Sequence, residues 1–146
     1  MPSEDKELHR KISSQLLSWG YTESEVDYVS EELNDIIDFD KMIDFLILNG
    51  SESEPQKYDE DALDLHVLLD DYILVLEYSG GRMIDYIYYK YENVGRIRIN
   101  KNDQRLHGAI TLDIATGYEI GLGSYEDEKY SEIKNYIKTL RGMLNE

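Results

Sequence analysis

Between residues 63 and 122 the chain alternates apolar and polar residues in short runs separated by turn residues, and this pattern restricts the fold more than anything else in the sequence. A period of two puts successive side chains on opposite faces of a strand. Residues 72–78 are almost wholly apolar, as in a strand buried on both faces. Ser79, Gly80 and Gly81 then offer a tight turn into the run 83–91, so the two read as a hairpin. In 94–100 the isoleucines fall on one face and the arginines on the other, which makes Ile97 and Ile99 core positions, and residues 100–103 supply turn chemistry. The alternation returns over 110–114 and 118–122, on either side of Ala115-Thr116-Gly117. With 63–69 added, six strands are expected.

A helix closes this region. Tyr130, Ile133, Ile137, Leu140 and Leu144 recur at spacings of three and four and form one apolar stripe. Ser124 and Asp127 suit its start, Glu126 to Glu128 fall in its first turn, and Lys138 and Arg141 lie toward its end, as the helix dipole favours. Meandering antiparallel strands covered by a C-terminal amphipathic helix resemble the pleckstrin-homology-like fold, in particular its small bacterial versions. The segment that carries the likeness is the aromatic strand 86–91 running into 94–99. The resemblance covers 62–146 and implies a binding scaffold of six or seven strands.

The first fifty residues carry helical periods instead. Leu8, Ile12 and Leu16 sit four apart, and Trp19-Gly20 ends that helix. Thr22 and Glu25 have the spacing of a capping box, with Tyr21 and Val26 placed for a hydrophobic staple. Val26, Val29 and Leu33 give a second helix its inner face. Asp38 is expected to cap a third helix in which Met42, Ile43, Leu46 and Ile47 point inward and Asn49-Gly50 is the stop. The expectation is an α+β chain: an acidic three-helix bundle over 1–50, a polar linker over 51–61, and the β region over 62–146. The bundle resembles the ubiquitin-associated type of three-helix domain, in which a hydrophobic-Gly-aromatic loop and an apolar pair late in the third helix form one patch. Trp19-Gly20-Tyr21 and Phe45-Leu46 stand at those places; this chain has Trp19 where the family usually has methionine. The resemblance implies a peptide-binding patch, while the same residues also suit plain packing of a small bundle.

Charge excludes several partners. Residues 1–62 carry a net charge of −12 and residues 63–146 a net charge of −4. Such a field repels nucleic acid and anionic lipid, despite 13 tyrosines that would otherwise suggest stacking platforms. Asp70-Asp71 occupies the first hairpin turn, where lipid-binding pleckstrin-homology domains carry cations. The expected partner is a protein with a basic or apolar surface. Arg96 and Arg98 form a local exception, a small anion patch or cross-strand partners of Asp113 and Glu119.

Catalytic motifs are missing from the sequence. It has no cysteine, and His9, His66 and His107 fall on different elements without metal-ligand spacing. Gly121-Leu122-Gly123 lacks the rest of a dinucleotide loop, and Asp38, Asp40 and Asp44 lack the spacing and glycine of a calcium loop. No enzyme activity, cofactor or metal is expected. The N-terminus has no signal-peptide pattern and no stretch is apolar enough for a membrane span, so the expectation is a cytoplasmic protein.

Two functions follow. One is a protein-binding module using aromatic surfaces: Trp19, Tyr21 and Phe45 on the helical part, and Tyr86, Tyr88, Tyr89 and Tyr91 on the strand, of which alternation lets only one subset face solvent. The other is an acidic inhibitor of DNA-mimic, immunity or anti-defence type. Its Glu31, Glu32, Asp35, Asp38, Asp40 and Asp44 would imitate phosphates against a basic groove. Spare tyrosines on an edge strand also suit a homodimer, which the charge opposes.

Overall fold

The computed structural model describes residues 2–53, 61–101, 106–112 and 118–144. Its helices are α1 (Pro2–Ser18), α2 (Glu23–Ile36), the short α3 (Gly50–Ser53) and α4 (Asp127–Leu144). Its strands are β1 (Met42–Asn49), β2 (Leu63–Leu69), β3 (Tyr72–Tyr78), β4 (Asp85–Lys90), β5 (Val94–Lys101), β6 (Leu106–Leu112) and β7 (Tyr118–Ser124). All pairings are antiparallel, in one sheet ordered β1-β2-β3-β4 and another ordered β5-β6-β7. The chain is therefore α+β, as expected, with seven strands among the described residues.

The expected third helix is corrected. Residues 42–49 form β1, in register with β2 from Met42↔Leu69 to Asn49↔Leu63. Phe45 and Ile47 point into one apolar core, Leu46 and Leu48 into another. A strand covered on both faces has no polar alternation, so its apolar run imitates a helical face, and only its length of eight residues favours the strand. Asp38 still caps, but its carboxylate accepts from the Asp40 amide at 3.2 Å at the start of a 3₁₀ turn, Phe39–Lys41. The three-helix bundle is thus two helices laid on a sheet.

Those helices share a core with the sheet. Leu8, Ile12 and Leu16 of α1 and Val26, Val29 and Leu33 of α2 pack with Leu65, Val67, Leu74 and Leu76. The opposite face of the same sheet, with Leu46, Leu48, Leu68 and Ile73, packs against Ile120 and Leu122 of β7 and the α4 stripe of Tyr130, Ile133, Tyr136, Ile137 and Leu140. β2 is the central layer, and each of its seven residues is buried.

Gly20, at φ +94°, ends α1 in a Schellman pattern: the Tyr21 amide donates to the Leu16 carbonyl at 3.0 Å and the Gly20 amide to Leu17 at 3.1 Å. The capping box of α2 is complete, Glu25 N–H to Thr22 Oγ1 and Thr22 N–H to Glu25 Oε1, both 3.1 Å. The other Glu25 oxygen accepts from the Gly81 amide at 3.1 Å, tying the helix start to the β3–β4 turn. These backbone donors, Thr22 first and then Gly81, hold the Glu25 carboxyl below its ordinary pKa. Glu52 of α3 joins the two sheets' ends by accepting from Ser124 Oγ at 2.8 Å. The expected linker lies partly in α3 and otherwise, over 54–60, outside the described residues.

Candidate functional site

β4 is the terminal strand of the four-stranded sheet; β3 pairs with one of its edges, and among the described residues no strand pairs with the other. Its middle residues, Tyr86-Ile87-Tyr88-Tyr89, carry no charge. Natural edge strands are usually blunted by lysine, proline or a covering loop. Here Tyr86, Ile87 and Tyr88 are 46%, 54% and 41% exposed, and Met83 before them is 75% exposed. Apolar surface is therefore presented on both faces of one open edge.

Alternation divides the four tyrosines in and after this strand. Tyr86 and Tyr88 lie opposite Leu76 and Leu74, on the side covered by α1 and α2. Their rings meet edge-to-face at 5.8 Å, and Tyr72 meets Tyr88 likewise at 5.9 Å. The Tyr88 hydroxyl donates to the Ile36 carbonyl at the end of α2, which fixes the ring beyond the helix. Burial, then the neighbouring Tyr86 and Asp71, pushes the Tyr88 pKa up. Tyr89 and Tyr91 instead pack against the second core, and the Tyr91 hydroxyl donates to the Leu69 carbonyl. Of the four, only Tyr86 and Tyr88 are exposed.

The other expected aromatic site is not one surface. Trp19 and Tyr21 are half-buried against the first core, with the Tyr21 hydroxyl donating to the Asp61 carbonyl at 2.7 Å and its ring 5.6 Å from Tyr78. Phe45 stands on β1 beneath Lys11, whose Nζ lies 5.5 Å from the ring centre. It lines a groove of about 740 Å³ between α1 and α4, whereas Trp19 and Tyr21 border a different one with Gly80. The charges of the larger groove are partly paired internally, Lys11 with Glu7 at 3.3 Å and Lys129 with Glu132 at 3.1 Å.

The acidic set is also divided. Glu31, Asp35, Asp38 and Asp40 are exposed, but Glu32 and Asp44 are half-buried. Asp44 belongs to the groove floor, where desolvation pushes its carboxyl above the ordinary range. Arg96 and Arg98 both face solvent on β5, as expected, and Ile97 packs against the second core, but Ile99, expected in the core, is 45% exposed beyond it. The register puts Thr111 of β6 between Arg96 and Glu119 of β7, so the pairing anticipated with Glu119 is not between adjacent strands. Asp113 lies outside the described residues. Sequence reasoning missed the groove between β5 and the last turns of α4, to whose lining Arg96 and Arg141 both contribute, although the register keeps the Arg96 side chain on the face of Thr111 and Ile97 on the face of the helix.

The histidines have separate environments. His9 clasps α1 to α2, accepting at Nδ1 from the Ser30 hydroxyl at 2.7 Å and donating from Nε2 to Asn34 Oδ1 at 3.0 Å. His66 is buried on β2 with Nε2 3.0 Å from Asp64 Oδ2 but outside hydrogen-bond geometry, so neither ring nitrogen makes a hydrogen bond among the described residues. Tyr136 of α4 meets this ring edge-on at 6.2 Å, and its own buried hydroxyl makes no hydrogen bond among the described residues. Burial drives the Tyr136 pKa well above its ordinary value. The His107 side chain lies outside the described residues. Among the described residues no group of three or more His, Asp or Glu is arranged to hold a metal ion, and no helix is long and apolar enough to cross a membrane.

No family model, curated protein or solved structure matches the chain.

Proposed function

We propose that this chain is a non-enzymatic protein-binding module of pleckstrin-homology-like design, in which β4 accepts an extended segment of a partner as an added strand. The order of four strands, three strands and a helix against both sheets supports the scaffold reading. The single observation that carries the binding reading is the exposed apolar stretch of β4, Tyr86 to Tyr88 between the charged ends Asp85 and Lys90, on an edge to which no further strand pairs among the described residues. Strand addition uses main-chain hydrogen bonds for affinity and alternate side chains for selectivity. Tyr86 and Tyr88 would grip one face of the added strand and Ile87 the other. Lys41 pairs with Asp71 at 2.9 Å and Lys90 stands 4.0 Å from Glu92, so the local charges are partly balanced, and it is the net −16 of the whole chain that favours an apolar partner segment with basic flanks.

The test is capture of partners from nuclease-treated lysate with the wild-type protein and with Ile87→Lys, which puts a charge at the centre of an exposed edge position. Binding is expected to survive high-salt washing and to disappear in the variant, whose circular dichroism stays native. A partner retained equally by Ile87→Lys overturns the proposal. One lost at high salt and abolished by neutralising Glu31, Asp35 and Asp38 would favour the acidic inhibitor instead.

A further inference from the structure

Trp19, the only tryptophan of the chain, is half-buried against the first core and borders a groove of about 590 Å³ between the α1–α2 turn and the β3–β4 turn. This is within the size range of small-ligand sites, roughly 300–1,000 Å³. Among the described residues its lining holds two aromatic rings, Trp19 and Tyr21, and two carboxylates, Glu25 and Asp61, with no lysine, arginine or histidine. Beyond Trp19 lies a smaller groove of about 230 Å³ bordered by Glu52 and Glu126, whose lysine, Lys129, pairs with Glu132 at 3.1 Å. Rings and carboxylates without a matching cation are the surroundings of a bound cation.

The rings and charges are held in place. The Tyr21 hydroxyl donates to the Asp61 carbonyl at 2.7 Å and its ring stands 5.6 Å from Tyr78. A Cβ added at Gly80 would sit 3.6 Å from Glu25 Oε2 and 3.8 Å from Tyr21 Cε1, so these three residues meet at one wall. One Glu25 oxygen accepts from the Thr22 amide and hydroxyl, both at 3.1 Å, and the other from the Gly81 amide at 3.1 Å. Asp61 Oδ1 accepts from Asn49 Nδ2 at 2.6 Å. A carboxylate has about four acceptor sites, so Glu25 offers the groove a negative charge with little acceptor capacity left. That suits a cation that donates no hydrogen bonds.

Elsewhere the chain supplies its own cations to aromatic rings: Lys11 lies 5.5 Å from the Phe45 ring centre, Arg82 5.4 Å from Tyr28 and Lys101 5.7 Å from Tyr130. Tryptophan is the best ring for such contacts, yet Trp19 has none among the described residues. Arg82, just past the β3–β4 turn, is held on Tyr28 instead. The net charge of −12 on residues 1–62 draws cations toward this end of the sequence.

We propose that this groove binds a trimethylammonium group on a ligand without an anionic group, seated against the Trp19 and Tyr21 rings with Glu25 and Asp61 supplying the countercharge. The site is separate from the β4 edge and does not depend on strand addition there.

Choline chloride titrated against sodium chloride of equal concentration is the test, read by the emission of Trp19 and by ¹⁵N amide shifts. Saturable changes are expected, with shifts gathered at residues 19–25, 61 and 79–81. Dimethylbutanol, in which carbon replaces the nitrogen of choline, should bind at least about tenfold more weakly, since it keeps the shape and loses the charge. Ethanolamine, a compact and strongly hydrated cation, should also bind more weakly. Asp61→Asn, at an exposed position, should weaken choline about fivefold; Glu25→Gln, which keeps a residue that capping boxes accept, should weaken it as well, and Ile87→Lys should leave it unchanged. Lys57→Gln, which removes the one cation among residues 51–62, is titrated in parallel. A trimethyllysine amide separates the sources of the group: tighter binding than choline assigns the site to a modified protein segment and weaker binding to a small molecule, and either upholds the proposal. No saturable change in wild type or Lys57→Gln, equal binding of dimethylbutanol or ethanolamine, or shifts spread over other surfaces would overturn it.

Discussion

Leu16→Ala tests whether the two N-terminal helices belong to the sheet or merely precede it. Leu16 is fully buried in α1 and shares its cluster with Leu65, Val67 and Leu76 of the central strands. Removing three heavy atoms from such a site costs the transfer energy plus that of an imperfectly collapsed cavity, about 3 kcal/mol within the range of about 2–5. Small domains have only about 5–15 kcal/mol of stability, so the loss is large. For a chain of this size the melting temperature should fall by about 10 °C. The assay is thermal unfolding followed by circular dichroism at 222 nm and, in parallel, by hydrogen exchange of the β2 and β3 amides. With one shared core, helix signal and strand protection are lost together in wild type and variant, both shifted down. If Leu16→Ala melts the helical signal and leaves β2 and β3 amides protected, the helices fold on their own and the shared-core argument is refuted.

Two other perturbations probe the buried polar groups. Burial, aided by the adjacent Glu25 charge, pushes Tyr78 up to about 12. A group whose folded pKa exceeds its unfolded value of about 10 contributes stability that is whole below pH 10 and lost as pH rises toward the folded value. The urea midpoint of the wild type should therefore fall between pH 10 and 12. In Tyr78→Phe, which lacks the hydroxyl bond to the Gly81 carbonyl, the unfolding free energy should start lower by about 1 kcal/mol, and the midpoint should fall less steeply with pH; parallel curves would contradict this assignment. The pair Asp64→Leu/His66→Leu replaces a buried carboxylate and the imidazole 3.0 Å from it, whose nitrogens make no hydrogen bond among the described residues, by apolar side chains. Such replacements are often neutral or stabilising by about 1–4 kcal/mol, so the double variant should unfold at equal or higher urea. A lower midpoint would mean that the pair is held by bonds beyond those seen here.

Much of the scaffold was legible because its signals are local. The capping box at Thr22 and Glu25, the glycine stop at Gly20 and the stripe of α4 each need only a few neighbouring residues, and each stands where it was read. The aromatic strand was legible as well, and alternation alone implied that its tyrosines divide between two faces. Which subset was exposed depended on where α2 ends, because the Tyr88 ring is placed against the Ile36 carbonyl. Arg141 could not be joined to Arg96 by any spacing, since 45 positions separate them and only the docking of α4 beside β5 brings them to one groove.

The sequence by itself determined the charge field, the two N-terminal helices, the hairpin strands and the amphipathic closing helix, since each follows from composition or from a period written along the chain. Tertiary structure alone decided that residues 42–49 are a strand, and with it that the helical region and the sheet share a core. An apolar run of eight residues serves equally as a helix face or as a strand buried on both sides. The choice was made by β2, which pairs with its backbone, and by the two cores that cover its opposite faces.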